Sequence, residues 1–112
     1  MIAAVASAFN LSCDIRMTVK ASDLKPMRTD RTTVFRVDLS SKRWCLGRCS
    51  ETYPIARVST TSLILDDSPD DYLAISRESG RYTARDSGGG VIITETGVCT
   101  PSAFTGFPSR KF

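Results

Sequence analysis

Polar and apolar residues alternate strictly along residues 9–20. Every odd position from Phe9 to Val19 is apolar, and every even position is polar. A period of two over that length predicts a strand with one buried face, because a helix would place both sets of residues on the same side. At about 3.3 Å per residue this segment would span roughly 36 Å, which is longer than most strands. We therefore expect the strand to bend or to carry a bulge.

Shorter alternating segments follow along the chain, and turn signals separate them. Ser40-Ser41-Lys42 and Glu78-Ser79-Gly80 each stand between two such segments, which is typical of hairpins. Residues 21–32 break the alternation and contain Pro26, so we expect a long connection there. Further strands are expected at residues 34–39, 43–45, 55–60, 62–66, 72–77, 81–85 and 91–96.

Seven or eight short strands without helical periodicity favour an all-β fold. We expect an antiparallel meander that forms a small barrel or sandwich, because closing the sheet removes the exposed edge strands. With 112 residues and 41% hydrophobic composition, the chain predicts one β domain over residues 9–112. Residues 100–112 form a Phe-rich tail, which we expect to lie across the barrel because exposed Phe side chains gain no burial.

The N-terminus resembles the end of a secretory signal. Ala6-Ser7-Ala8 is a small-x-small cleavage pattern, and the alternating strand begins directly after it. We interpret residues 1–8 as a signal-peptide remnant or a disordered N-terminus, and the mature protein as periplasmic or secreted. No segment approaches the roughly 18 consecutive apolar residues of a membrane span.

The chain has four cysteines and no histidine. Four cysteines allow three pairings, and we favour Cys13 with Cys99 and Cys45 with Cys49, because the first bridge would join the two ends of a closed meander. A redox pair at Cys45 and Cys49, or a zinc site, remains an alternative. Export favours structural disulfides, so we expect neither a metal nor another cofactor.

Other residue patterns argue against a catalytic triad, an EF-hand calcium site and a nucleic-acid surface. The absence of histidine excludes a Ser-His-Asp triad. The acidic run of residues 66–71 lacks the spacing of an EF-hand, so we interpret it as a solvated turn. Residues 16–57 hold ten Lys or Arg against four acids, and residues 58–100 hold three against seven. The basic residues are scattered, which favours solvated strand faces over a nucleic-acid surface.

The chain resembles two groups of proteins. The first is a group of small, uncharacterised exported proteins of alphaproteobacteria; this resemblance covers nearly the whole chain and implies no activity. Its motifs are Phe9-Asn-Leu-Ser-Cys13, Phe35-Arg-Val-Asp-Leu39, Arg43-Trp-Cys45, Gly97-Val-Cys99 and Phe104-Thr-Gly-Phe-Pro108, together with residues 75–82.

The second resemblance is to the periplasmic and membrane-bound inhibitors of C-type lysozyme. Those proteins are small eight-stranded barrels with an N-to-C-terminal disulfide and a Ser-Gly-x-x-Tyr-like loop, and the spacing here is one residue shorter. The matching positions are Cys13 and Cys99 for the bridge, and Ser79, Gly80 and Tyr82 for the loop. The resemblance implies that Ser79 and Arg81 would enter the acidic cleft of a lysozyme. The residues alone predict a hairpin turn there.

The leading hypothesis is therefore a non-enzymatic, exported β domain that acts by binding. One alternative is a lysozyme-inhibitor-like protein that uses the hairpin of residues 78–82. Another is a thiol-disulfide redox protein that uses Cys45 and Cys49. A small ligand inside the barrel is a further option, although about eight strands leave an interior that side chains can fill.

Overall fold

A computed structural model describes residues 7–47 and 49–107, which form one antiparallel sheet of nine strands and no helix. The order in the sheet is β4-β3-β2-β1-β9-β8-β7-β6-β5, and the sheet curls into a half-barrel. The all-β antiparallel meander expected from the alternation is thus confirmed. The strands are β1 (Ala8–Ala21), β2 (Met27–Asp38), β3 (Arg43–Leu46), β4 (Tyr53–Pro54), β5 (Arg57–Val58), β6 (Ser62–Asp67), β7 (Asp71–Ser76), β8 (Arg81–Gly88) and β9 (Val91–Ala103).

The longest ladder of the sheet joins β1 to β9, near the two ends of the chain. It runs over thirteen residue pairs, from Phe9 opposite Ala103 to Ala21 opposite Val91. Cys13 lies directly opposite Cys99, and a disulfide joins them across 86 positions of sequence. The second disulfide joins Cys45 to Cys49. Both expected pairings are confirmed.

Gly97 lies at the centre of this ladder, opposite Ile15. A Cβ atom at Gly97 would overlap the backbone oxygen of Asp14. The close approach of the two backbones therefore requires the absence of a side chain at this position.

The prediction of a long connection over residues 21–32 is wrong. β2 begins at Met27, which pairs with Val19, and the turn occupies only residues 22–26. All side chains of residues 27–32 are exposed. Nothing packs on this part of β2, so no alternation of polar and apolar residues is required, and the sequence carries no strand signal there.

The core lies on the inner face of the curled sheet. Tyr82 and Phe35 are its largest fully buried side chains, each 1% exposed. They come from β8 and β2, which β9 and β1 separate in the sheet, so the curl brings them into contact with 5.7 Å between ring centroids. The other buried members of the core are Leu11, Cys13, Ile15, Val37, Ile55, Leu63, Leu65, Ile75, Ala84 and Cys99.

The chain after β9 folds back over the outer face of β1 and β2. The Asn10 side-chain amide donates to Thr105 Oγ1 at 2.9 Å, and the Thr105 backbone N–H donates to Asn10 Oδ1 at 3.3 Å. The Arg36 guanidinium donates to the carbonyl of Gly106 at 3.0 Å. Residues 104–107 thus lie across the sheet, while residues 108–112 lie outside the described residues. Residues 100–103, which the sequence analysis assigns to the tail, instead belong to β9 and pair with β1.

The N-terminal signal expectation concerns residues 1–8, of which residues 1–6 lie outside the described residues. The Leu39 backbone N–H donates to the carbonyl of Ser7 at 2.6 Å, and Ala8 begins β1. Over the described ranges, no helix has the length and apolar character needed to cross a bilayer.

Candidate functional site: the seam cleft

The two edges of the half-barrel meet along a line that we call the seam. One short stretch of chain crosses it, because Tyr53–Pro54 pair with β3 and Arg57–Val58 pair with β6. Ile55 lies between these two strands and is 8% exposed. The seam is therefore bridged at this end by a single bent segment.

The seam is open beyond this crossing. β4 pairs only with Arg43 and Trp44 of β3, and β5 pairs only with Leu63 and Ile64 of β6. In the part of the chain that the structure describes, no ladder joins β3 to β6 directly. The register between β6 and β7 shifts between Ile64 and Asp66. Such interruptions of a ladder are common next to active sites.

A cleft of about 640 Å³ occupies the open part of the seam. We call it the seam cleft. Trp44 and Leu46 of β3 line one wall and Leu65 of β6 the other, with Tyr53 between them, while Glu51 and Asp66 contribute carboxylates. Its size and its mixture of aromatic, aliphatic and a few polar groups are typical of small-ligand sites.

A row of four aromatic rings connects the core to this cleft. The ring centroids are 5.7 Å apart for Tyr82 and Phe35, 6.0 Å for Phe35 and Trp44, and 5.3 Å for Trp44 and Tyr53. Exposure rises along the row from 1% at Tyr82 to 43% at Tyr53. Since tilted aromatic pairs at these distances attract one another, the cleft wall is continuous with the packed core.

Carboxylates line the cleft, and the Trp44 side chain of its wall contains a buried donor without a partner among the described residues. The indole N–H of Trp44 is buried and has no hydrogen-bond partner. The Tyr53 hydroxyl donates to Glu51 at 3.2 Å, and this hydrogen bond raises the pKa of Tyr53. Asp66 accepts a hydrogen bond from Ser68 at 3.2 Å. The cleft thus offers carboxylate acceptors beside an apolar, aromatic wall.

The segment that leads into β4 is held in place from two sides. The Cys45–Cys49 disulfide closes its start. The Arg43 guanidinium donates to the Thr52 hydroxyl at 2.9 Å and to the Thr52 carbonyl. These contacts position Glu51 and Tyr53 at the cleft.

A wider depression, of about 800 Å³, lies on β1, β2 and β9. Its polar side chains bind one another: the Thr32 hydroxyl donates to Asp14 at 2.8 Å, and Arg16 pairs with Asp30 at 3.3 Å. Because these groups already satisfy each other, we regard the seam cleft as the stronger candidate site.

The hairpin residues singled out from the sequence are divided between surface and core. Ser79 and Arg81 are exposed, whereas Tyr82 is 1% exposed and donates to Glu95 at 3.0 Å. Gly80 has a φ of +77°, and its carbonyl accepts a hydrogen bond from the Cys99 backbone N–H at 2.7 Å. A partner at this hairpin would therefore contact Ser79 and Arg81, while Tyr82 holds the hairpin to the core.

The second cysteine pair is poorly placed for exchange with another thiol. Cys45 is fully buried, and Cys49 is half-buried. In thiol-disulfide exchange a thiolate must reach one sulfur of the bridge. Because Cys45 is buried, such an attack could occur only at the sulfur of Cys49.

The acidic run of residues 66–71 covers the end of β6, the turn at residues 68–70 and the first residue of β7. Arg57 pairs with Asp67 at 2.8 Å, and the backbone N–H of Ser68 donates to the Asp71 carbonyl at 2.9 Å. A hydrogen bond with Asp86, directly opposite on β8, raises the pKa of Asp71. Over residues 7–47 and 49–107, no group of three or more possible ligands is arranged to hold a metal ion.

Sequence reasoning missed the seam cleft, because its walls come from segments that meet only when the sheet curls. The Tyr53-Pro54 pair next to a short cysteine loop was the available signal. Comparison of the chain with protein-family models, with curated proteins and with solved structures finds no match.

Proposed function

We propose that this protein is an exported, non-enzymatic binding module whose ligand enters the seam cleft. The observation that carries the proposal is the interruption of the sheet between β3 and β6, beside the exposed ring of Tyr53 and the half-buried ring of Trp44. A barrel of this size can close with its interior filled by side chains. Here the ladder stops, and a cleft with an aromatic wall takes its place.

The cleft favours a ligand with a flat apolar part and a cationic amine. Trp44 and Tyr53 supply ring surface, and Leu46 and Leu65 supply aliphatic surface. Glu51 and Asp66 are the charged groups of the lining, so an ammonium group would gain both carboxylate contacts and attraction to the ring faces.

Export is supported by the cysteines. All four are paired in disulfides, and such bridges form and persist in oxidising compartments such as the periplasm or the cell exterior. The signal-like residues 6–8 point to the same compartments.

The test uses Trp44, the only tryptophan of the chain, as a fluorescent reporter. Aromatic amines are titrated against the oxidised protein, with aromatic carboxylates of matched size as the negative set. We expect saturable changes with amines alone, and a loss of affinity of about tenfold for Asp66→Asn, which removes a charge-assisted contact. Tyr53→Ala should weaken binding by a similar factor through lost ring contact.

The matched control is Tyr72→Ala. Tyr72 is 38% exposed, close to the 43% of Tyr53, and it lies on β7 opposite Asp67 without lining the cleft. The proposal fails if no amine gives a saturable change, or if Tyr72→Ala weakens binding as much as Tyr53→Ala.

The second candidate is inhibition of a C-type lysozyme. It is supported by the exposure of Ser79 and Arg81 on a hairpin bound directly to Cys99 of the long-range disulfide. Turnover is measured with the double variant Ser79→Ala/Arg81→Ala, and Arg85→Ala serves as an exposed arginine control on the same strand. Inhibition that disappears only in the double variant supports this candidate. Absence of inhibition at micromolar protein removes it.

A further inference from the structure

The turn between β1 and β2 carries the most exposed apolar side chains of the described ranges. Leu24 is 70% exposed and Met27 is 66% exposed. The Leu24 backbone N–H donates to the Ala21 carbonyl at 3.2 Å, which closes the turn and leaves both side chains uncovered. We call residues 20–28 the hairpin tip.

The hairpin tip projects from one end of the sheet. Ala21 at the end of β1 pairs with Val91 of β9, and the neighbouring strand β8 ends at Gly88 opposite the same Val91. Residues 22–26 extend past this last rung of the ladder, where no further strand pairs with them. Leu24 therefore stands on a convex extremity rather than in a groove, and Met27 lies beside it at the first pair of the β1–β2 ladder.

Basic side chains surround these two apolar side chains. Lys20, Lys25 and Arg28 are all exposed, and Asp23 is the one acid among residues 20–28. The ion pairs in the described part of the chain are Arg16 with Asp30, Arg31 with Glu95, and Arg57 with Asp67. None of them involves a cation of the hairpin tip, so among the described residues no ion pair neutralises these three cations.

The acidic turn between β6 and β7 lies at the same end of the sheet as the hairpin tip, because Asp71 pairs with Asp86 close to the end of β8. Strands β9, β8 and β7 stand between β1 and β6. The hairpin tip and the acidic turn are thus separated laterally across this end of the sheet. An anionic surface would attract the tip and repel the acidic turn, so the domain would approach tilted, with the projecting tip first.

We infer that the hairpin tip docks the protein on the surface of an anionic phospholipid bilayer. A protein partner would need an acidic, concave site shaped to receive this convex tip. A bilayer needs only negative headgroups for Lys20, Lys25 and Arg28, and an acyl boundary for Leu24 and Met27. Basic residues near an anionic surface are attracted within about a Debye length, roughly 10 Å at 0.1 M salt. Apolar side chains then enter the region between headgroups and acyl chains.

Co-sedimentation with vesicles tests this inference. Vesicles of phosphatidylcholine mixed with phosphatidylglycerol are compared with vesicles of phosphatidylcholine alone, at low and at high salt. We expect binding only to the mixed vesicles and release at high salt, because salt screens the charge attraction. Leu24→Ser/Met27→Ser should lower the partition coefficient by about tenfold or more, because both side chains lose apolar burial. Lys20→Gln/Lys25→Gln should lower it by roughly tenfold or more.

Two variants control for general surface effects. Val98→Ser removes an apolar side chain that is 60% exposed on β9, and Lys42→Gln removes an exposed lysine in the β2–β3 turn. Neither should change partitioning. Circular dichroism checks that every variant is folded.

Three outcomes overturn the inference. The first is equal binding to both kinds of vesicle, and the second is an equal loss with Val98→Ser and with Leu24→Ser/Met27→Ser. In the third, the protein does not bind vesicles but self-associates through Leu24 and Met27, which would assign the tip to a contact between copies of the chain. Amine titration of Trp44 should be unchanged in Leu24→Ser/Met27→Ser, so this result is separable from the proposed function.

Discussion

The β1–β9 ladder and the seam both join distant parts of the sheet, yet they are built in opposite ways. The ladder has thirteen residue pairs and a disulfide between residues 86 positions apart. The seam is crossed by one bent segment with two paired residues on each side, and its disulfide links residues only four positions apart. The most extensive pairing of the sheet thus joins β1 to β9. The edges of the sheet at β3 and β6 are joined only at one end, which leaves the seam cleft between them.

This difference predicts that the β1–β9 ladder contributes most to stability and that the seam provides the ligand contacts. In the chain-entropy description, a disulfide stabilises by restricting the unfolded chain, and the restriction grows with the length of the closed loop. The ladder should therefore dominate the free energy of unfolding. Changes at the seam should alter ligand affinity at the cleft more than they alter the free energy of unfolding of the domain.

The largest expected effect is the loss of the long-range disulfide. Cys13→Ala/Cys99→Ala should lower the free energy of unfolding by about 4 to 5 kcal/mol, because the bridge closes nearly the whole chain. Urea unfolding of the oxidised protein measures it. A loss no greater than that of Cys45→Ala/Cys49→Ala would contradict the assignment of most of the stability to the ladder.

A side chain at Gly97 should also weaken the ladder. Gly97→Ala places a Cβ against the backbone of Asp14, and relieving the overlap should cost about 3 kcal/mol. Gly88→Ala is the matched control, since a Cβ there meets nothing within 4 Å. Its effect should stay within about 0.5 kcal/mol. Similar melting temperatures for the two variants would contradict the close approach of β1 and β9.

Loss of the seam disulfide should be milder. Cys45→Ala/Cys49→Ala should cost about 2 kcal/mol, because the closed loop is short. Amine affinity at the cleft should fall as well, since the bridge positions the segment that carries Glu51 and Tyr53. A reduction potential near or below roughly −300 mV would identify the bridge as structural and remove the redox alternative.

The smallest expected change in the free energy of unfolding at neutral pH comes from removing the Tyr82 hydroxyl. Tyr82→Phe removes the hydrogen bond to Glu95, while Arg31 still binds Glu95 at 2.5 Å. We therefore expect a loss of about 1 kcal/mol in the free energy of unfolding.

The same residue predicts an alkaline dependence of stability. Burial raises the pKa of Tyr82 in the folded protein, whereas the unfolded chain releases this proton near pH 10. Above about pH 10 the native state binds more protons than the unfolded state, so stability is complete below that pH and falls as pH rises further. Melting temperatures measured against pH should fall less steeply in Tyr82→Phe than in Tyr72→Phe. If the melting temperature falls equally steeply with pH in both variants, the ionisation of Tyr82 does not cause the alkaline loss of stability.

Sequence reasoning worked best where one face of a strand is buried. The alternation of residues 9–20 predicted β1, and the short turn at residues 40–42 predicted the hairpin in which Val37 pairs with Trp44. It failed for residues 27–32, whose side chains are all exposed. It also gave no indication that the chain from Tyr53 to Val58 changes partner strand, because that change depends on the position of β6.

The antiparallel β class and the buried face of β1 follow from the sequence alone, and the sequence favours the observed pairing of the four cysteines among three possible ones. These follow from the period of side chains along a strand and from the need to bring the two ends of a meander together. Three features become visible only in the folded chain: Tyr82 lies in the core, residues 27–32 form a strand, and the seam remains open beside Trp44 and Tyr53. Those features depend on the curl of the sheet, which sets residues far apart in sequence against one another and leaves no periodic signal in the chain.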